Sequence, residues 1–380
     1  MTSSTRSNIG SLMAERITVH AQPPYDVIIG RDLLPEIPRL LPGAERIAVV
    51  HAATPGAPSA LAVRLERVLR SDGREITVLT VPQGEAAKSA DVLQDCWREL
   101  GSAGFTRSDA VVSLGGGATT DLAGFVAATW ARGIRIVHVP TTLLAMVDAT
   151  VGGKTGINIA AGKNLVGAFH LPVAVICDMA ALATLPPADI SAGLAEVIKV
   201  GFTCDPTILD DVLAQPTSAM DPESGLLLEL IRRAVSVKAA VTVDDFRETA
   251  GTSASRSLGR EVLNYGHTFG HAVELLEDYR WRHGDAVSVG MVYVAELAGL
   301  AGELDPEVIA LHRTVLEAVN LPTTYPAGHW PALLAGMRVD KKARGSTLRF
   351  VVLDDIAQPR ILTNPDTLVL EEAYRRIAAG

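Results

Sequence analysis

Short β-branched runs alternate with stretches of helical apolar spacing along the first half of the chain. The runs 46–51, 75–81, 109–114, 134–139 and 173–177 have the length and residue type of buried strands. Segments between them, such as 60–69 and 89–100, carry their apolar residues on one helical face. Strand and helix in turn predict parallel βαβ units, hence an α/β N-terminal domain with a doubly wound, Rossmann-like parallel sheet. From about Thr184 the texture changes: 188–199, 224–243, 262–276 and 287–304 are rich in alanine and leucine at helical period. A mostly α-helical C-terminal domain is expected there, with a short strand over 347–353. The expected boundaries are a polar leader without structure over 1–14, the α/β domain over 15–184 and the helical domain over 185–380, entered through Leu185-Pro186-Pro187. Residues 249–259 (TAGTSASRSLG) are small and polar and predict a loop.

Composition narrows the class. The chain has 380 residues, 48% apolar and 20% charged, which suits a soluble two-domain enzyme. Its 34 basic and 43 acidic side chains give a net charge of −9, with no lysine or arginine run. A general nucleic-acid or membrane surface is not expected. No segment reads as a transmembrane span, and the N-terminus has no apolar signal core. Cys96, Cys177 and Cys204 are odd in number and widely spaced, as structural thiols of a reducing cytosol would be. A cytoplasmic location is expected.

Three segments of the first half carry candidate chemistry. Gly115-Gly116-Gly117 through Asp121 follows an expected strand and opens an expected helix, where a diphosphate could approach the backbone and meet unpaired N–H groups. A second turn, Pro82-Gln83-Gly84-Glu85, would fall at the same strand-end edge. The spacing is not GxGxxG, and a tight structural turn fits the glycines equally well. Thr141 and Thr142 end another strand. Asp148, Gly153-Lys154 and Gly162-Lys163-Asn164 follow, a density of lysines and amides that an anionic group would need.

In the second half, His267 and His271 stand one turn apart on a helix, and His283 follows closely. Imidazoles so arrayed suit a metal, although helix-face histidines are also common as satisfied polar groups. Gly193-Leu-Ala-Glu196-Val-Ile-Lys199 places Glu196 and Lys199 on neighbouring positions of a helix that is otherwise apolar. Buried charges need partners, and a divalent ion shared by Glu196 with two or three histidines would be one.

GGGxxxDLAGF, VPTTLLAxVDxxVGGKTGIN, GKNLVGAFH, GLAEVIK, LNYGHTFGHAxE and HGxAVxxGM occur here in this order. In these motifs the chain resembles the 3-dehydroquinate synthase family, from about Val27 to Asp354. The resemblance implies an NAD- and Zn2+- or Co2+-dependent, phosphate-eliminating lyase of the shikimate pathway, usually a homodimer. It would convert the sugar phosphate 3-deoxy-D-arabino-heptulosonate 7-phosphate to 3-dehydroquinate by transient oxidation, elimination, re-reduction and intramolecular aldol closure. By motif position the metal ligands would be Glu196, His267 and His283, so the resemblance divides the HxxxH pair. His271 would instead face the phosphate and transfer protons. Lys154, Asn164 and His271 would hold the phosphate, aided by Arg132 of a second subunit and Lys342. Arg260, Asn264 and Lys238 would hold the carboxylate. Lys199 and Asp148 would sit beside the reacting carbons, making Lys199, His271, Asp148 and Lys154 the implied catalytic groups. NAD would meet Gly84, Glu85, Lys88, Gly116, Gly117, Asp121, Thr141, Thr142, Lys163 and Thr184.

The chain departs from the family pattern in having Thr120 before Asp121, and His51-Ala-Ala where an acidic ribose contact is expected. The rival activities are amino-dehydroquinate, inosose and valiolone synthases and a metal-dependent polyol dehydrogenase. Lys154, Asn164 and Arg260 argue against the dehydrogenase, because a plain polyol needs no anion clamp.

Overall fold

The computed structural model describes residues 4–9, 12–53, 57–245, 258–302, 304–342 and 347–379. The chain divides into two compact units, Met1–Leu185 with Lys238–Val243, and Pro186–Val237 with Asp244–Gly380.

The first unit is built on an eight-stranded sheet of order β1-β2-β3-β10-β7-β6-β4-β5. Its strands are β1 (Ser4–Ile9), β2 (Leu12–Val19), β3 (Tyr25–Gly30), β4 (Arg46–Ala52), β5 (Glu75–Val81), β6 (Ala110–Gly115), β7 (Arg135–Pro140) and β10 (Ala174–Asp178). From β3 to β5 every pairing is parallel, and β2 and β1 add an antiparallel edge. Side-chain alternation sends β4 and β6 into two cores. Ile47, Val49, Val112 and Leu114 pack with Leu65 and Leu69 of the Ala57–Ser71 helix. Ala48, Val50 and Val111 pack with Leu93 and Leu100 of Ala90–Ser102 and with Leu122 and Val126 of Gly117–Thr129. Burial on both faces explains why these strands are legible as continuous β-branched runs.

Two differences from expectation concern this unit. Ser4–Ile9, expected in an unstructured leader, pairs with β2. The lysine- and amide-rich segment that follows Gly153, for which no strand is expected, is an antiparallel hairpin, β8 (Lys154–Ile159) and β9 (Gly162–Phe169). Gly156 and Gly167 face each other across it, and a Cβ on Gly167 would lie 2.1 Å from the Thr155 carbonyl oxygen. Small residues at the pair let the strands close.

The second unit is helical, with Pro187–Thr203, His267–Leu276 and His283–Leu300 at its centre and an antiparallel pair Arg349–Asp355 and Gln358–Thr363. The expected single helix over 262–276 is interrupted: a short 3₁₀ turn, Gly259–Asn264, ends before Gly266, whose φ of +78° suits glycine. The helix therefore starts afresh at His267. A Cβ on Gly290 would lie 2.0 Å from the Gly266 carbonyl oxygen, so the two helices meet backbone to backbone. The helix expected over 287–304 begins earlier, at His283. No described helix is long and apolar enough to cross a membrane.

Candidate active site

Within the first unit, the expected nucleotide contacts lie at the carboxyl ends of the parallel strands. Gly116 precedes the Gly117–Thr129 helix with no side chain capping it. A Cβ on Gly116 would meet Thr142 Cγ2 at 3.3 Å, so the turn runs close beside the strand end of β7. The Thr141 amide donates to the Gly115 carbonyl at 2.9 Å. The buried Lys88 ammonium lies 2.6 Å from Asp121 Oδ2 and also bonds Asn164 Oδ1. Burial pushes the Asp121 carboxyl up to about 6, against the Lys88 charge, and the nearby Glu85 and Asp148 add to the rise. Glu85 accepts from the Asn158 amide and lies 3.8 Å from Lys163. Asn164, at φ +54°, takes its backbone N–H to Asn158 Oδ1 at 3.0 Å. Asn158, the last residue of the VGGKTGIN motif, thus links Glu85 and Asn164.

Asp148 sits in a π-helical turn, Ala145–Ala149, ion-paired with the buried Lys238. Lys154 is exposed at the start of β8, and Thr184 is exposed at the end of a 3₁₀ turn. Arg132 has φ of +66° in the turn after Trp130.

Within the second unit, three helices bring Glu196, His267 and His283 together, with one ligand atom from each all within 4.8 Å of one another. Glu196 Oε1 lies 3.3 Å from His267 Nε2 and 3.5 Å from His283 Nε2. Two donors about 2.1 Å from one tetrahedral ion stand roughly 3.4 Å apart. Oε1 is buried and makes no hydrogen bond, while Oε2 is bonded by the Lys199 ammonium. An orphaned carboxylate oxygen facing two ring nitrogens at this spacing fits a divalent ion. Both rings are tied at the other nitrogen, His267 Nδ1 to the Tyr265 carbonyl at 3.0 Å and His283 Nδ1 to Glu274 Oε2 at 3.2 Å.

Burial opposes ionisation of Glu196, yet Lys199 and then His267 hold its carboxyl well below the usual range. Burial and the Lys199 charge bring His267 down to about 4. On His283 burial is outweighed by the Glu196 and Glu274 carboxylates, which push it up to about 10.

The close approach that creates the cluster depends on Gly284, where a Cβ would lie 1.8 Å from the Ala192 carbonyl oxygen. His271 is not in the Glu196 group; it clusters with Glu274 and His283, its ring centroid 5.3 Å from that of His267. Arg260 is buried, its backbone N–H donating to Asp245 Oδ2 at 3.3 Å, and Asn264 is half-buried at the end of the same turn. Lys342 ends the Trp330–Lys342 helix, but its side chain, like residues 249–257 of the polar loop, lies outside the described residues.

A parallel α/β unit joined in one chain to a helical unit bearing a Glu-His-His cluster is the architecture of the sugar phosphate cyclases. The chain belongs to the 3-dehydroquinate synthase family: the N-terminal family model matches residues 78–192 and the C-terminal one residues 193–343. The 3-dehydroquinate synthase of Thermobifida fusca (strain YX) is 54% identical over 356 residues, 93% of this chain and 94% of that protein. Among solved structures, a 2-epi-5-epi-valiolone synthase from Streptomyces hygroscopicus subsp. jinggangensis 5008, with NAD+ and Zn2+ bound, has a TM-score of 0.83. It is 26% identical, over 93% of this chain and 96% of that one. A 2-deoxy-scyllo-inosose synthase complexed with carbaglucose-6-phosphate, NAD+ and Co2+ shares the fold at 24% identity and TM-score 0.83, covering 96% of this chain and all (100%) of that one.

Proposed function

We propose that this chain converts 3-deoxy-D-arabino-heptulosonate 7-phosphate to 3-dehydroquinate and phosphate, using NAD and Zn2+ or Co2+, as a phosphate-eliminating lyase. The observation that carries the reading is the unpartnered Glu196 Oε1 beside His267 Nε2 and His283 Nε2, in a chain 54% identical to a 3-dehydroquinate synthase. When bound, the metal supplies a Lewis acid for a substrate oxygen, and NAD supplies a hydride acceptor that is regenerated each turnover. Glu196, His267 and His283 would hold the ion.

The other roles follow from chemistry at each side chain. Lys199, buried and bonded to Glu196, presents its ammonium where a substrate oxygen gains negative charge. His271 holds or passes a proton at the phosphate, to which Lys154 and Asn164 also donate. Arg260, Asn264 and Lys238 match a carboxylate. Asp148, paired with Lys238, fixes the direction of that ammonium. The uncapped amides after Gly116 suit the diphosphate of NAD, with Gly84, Glu85, Lys88, Gly117, Asp121, Thr141, Thr142, Lys163 and Thr184 as its further contacts. Arg132 and Lys342 are assigned to the phosphate as helpers, Arg132 reaching it from a second copy.

A homodimer is part of this reading. Leu165 and Phe169, on one side of β9, are 51% and 46% exposed, apolar surface that a second copy would cover. The three unbonded thiols suit a reducing cytoplasm.

One assay tests the function: phosphate release from the heptulosonate phosphate, followed together with absorbance of reduced nicotinamide. Phosphate without net NADH is expected. Net NADH from a polyol would replace the reading with a dehydrogenase, and turnover of glucose 6-phosphate or a heptulose phosphate would replace it with a sister cyclase.

A further inference from the structure

His267 and His283 are each tied at Nδ1, but to acceptors of different kind. The partner of His267 is a neutral backbone carbonyl, while that of His283 is the carboxylate of Glu274. Neither acceptor can give a proton to a ring, so once an ion takes Nε2 each ring keeps its proton on Nδ1. Glu274 is only 8% exposed, and a buried carboxylate is retained only where it has work for its charge.

Its position follows from the helix. His267 and Glu274 lie seven residues apart, two turns along one face of His267–Leu276. That helix therefore supplies one nitrogen of the Glu196 cluster directly and orients the other from behind. His283 needs the help more than His267 does. It is the first residue of its helix, after Arg282 in extended conformation, and its ring is 24% exposed against 12% for His267. A ring less enclosed by its neighbours can flip, exchanging Nδ1 for Nε2, unless an acceptor holds it.

We propose that Glu274 is a positioning residue for the metal: its carboxylate fixes the tautomer and plane of His283 and makes Nε2 a stronger donor. This rests on the metal reading of Glu196, His267 and His283. The same contact closes a competing position. His271, Glu274 and His283 also bring ligand atoms within 4.8 Å of one another. With the Nδ1 proton of His283 given to Glu274, that nitrogen has no lone pair for an ion there, so the second group loses one of its three donors and one ion binds per chain.

The test is Zn2+ affinity of the dialysed full-length protein, measured by chelator competition, with the visible absorption of the Co2+ form as a second readout. Glu274→Ala is expected to weaken Zn2+ binding by about 10- to 100-fold and to alter the Co2+ spectrum, with circular dichroism unchanged. Glu274→Gln, which keeps the volume and an acceptor oxygen but not the charge, is expected between wild type and Glu274→Ala. If the alanine variant does not fold, the glutamine variant decides, with weakening of about threefold or more expected. Wild-type affinity in either folded variant overturns the proposal. A wild-type protein that binds no Zn2+ overturns the Glu196 cluster as a metal site, and Glu274's role with it; a wild type that binds two ions overturns the closed second position alone.

Discussion

Gly284→Ala tests whether helix contact sets the geometry of the Glu196 cluster. An added Cβ would lie 1.8 Å from the Ala192 carbonyl oxygen and 2.4 Å from its carbonyl carbon. Ordinary contact requires about 3.4 Å, so the helices Pro187–Thr203 and His283–Leu300 must part by roughly 1.5 Å. Ala192 is one turn before Glu196, and Gly284 follows His283, so the displacement goes into the 3.5 Å between Glu196 Oε1 and His283 Nε2. Two donors about 2.1 Å from one ion can stand no more than about 4.2 Å apart. Opening the pair to about 5 Å therefore removes one ligand. The expected result is loss of Zn2+ affinity by about 100-fold or more, with overpacking that costs about 3 kcal/mol. Chelator competition and thermal unfolding measure the two effects. Gly225→Ala is the control, since its Cβ would meet nothing within 4 Å. Wild-type affinity and unchanged melting temperature in Gly284→Ala would refute the reasoning.

Three other outcomes are expected. Lys88→Ala should cost about 2 kcal/mol in urea unfolding and weaken NAD binding, because Asp121 and Asn164 lose a shared donor; unchanged stability would contradict this. His312 is fully buried, stacked on Phe202 at 3.6 Å and bonded to Tyr265 and the Val308 carbonyl, and burial lowers it to about 4. With its folded value below the unfolded 6.5, the stability tied to its neutral form is lost as pH falls from about 6.5 toward 4. Between pH 7 and 5 wild type should lose roughly 2 kcal/mol more than His312→Phe, and equal losses would contradict this. Finally, Leu165→Ser with Phe169→Ser should turn a dimer into a folded monomer by light scattering, and a dimer that survives both changes would exclude the β8–β9 face.

Legibility in the sequence tracked burial. Strands β4, β6, β7 and β10 are buried along most of their length, and their β-branched runs are evident to within a residue or two; the half-exposed edge strand β5 is legible from the same residue types. Strands β2 and β3 are not anticipated: the polar pair Glu15-Arg16 interrupts the apolar run of β2, and Asp26 that of β3. The β8–β9 hairpin is not anticipated, because Gly156 and Gly167, which permit its close pairing, carry no side chain to mark a strand. The break before His267 required a left-handed Gly266, which no apolar period reveals.

The candidate site shows the same division. Spacing alone made His267 and His271 a ligand pair, since it records neighbours on one helix and not which nitrogen faces another element. Family resemblance separated them, and the structure groups His267, without His271, with Glu196 and His283. Glu274 passed unassigned although its spacing to His267 was visible, because its partner His283 belongs to a different helix.

X-ray absorption at the metal edge of the Zn2+- or Co2+-loaded protein addresses the central claim most directly. Two imidazole nitrogens and a carboxylate oxygen at about 2.0–2.2 Å are predicted, with one imidazole lost in His283→Ala. Sulfur in the coordination shell, or a spectrum unaltered by His283→Ala, would contradict it.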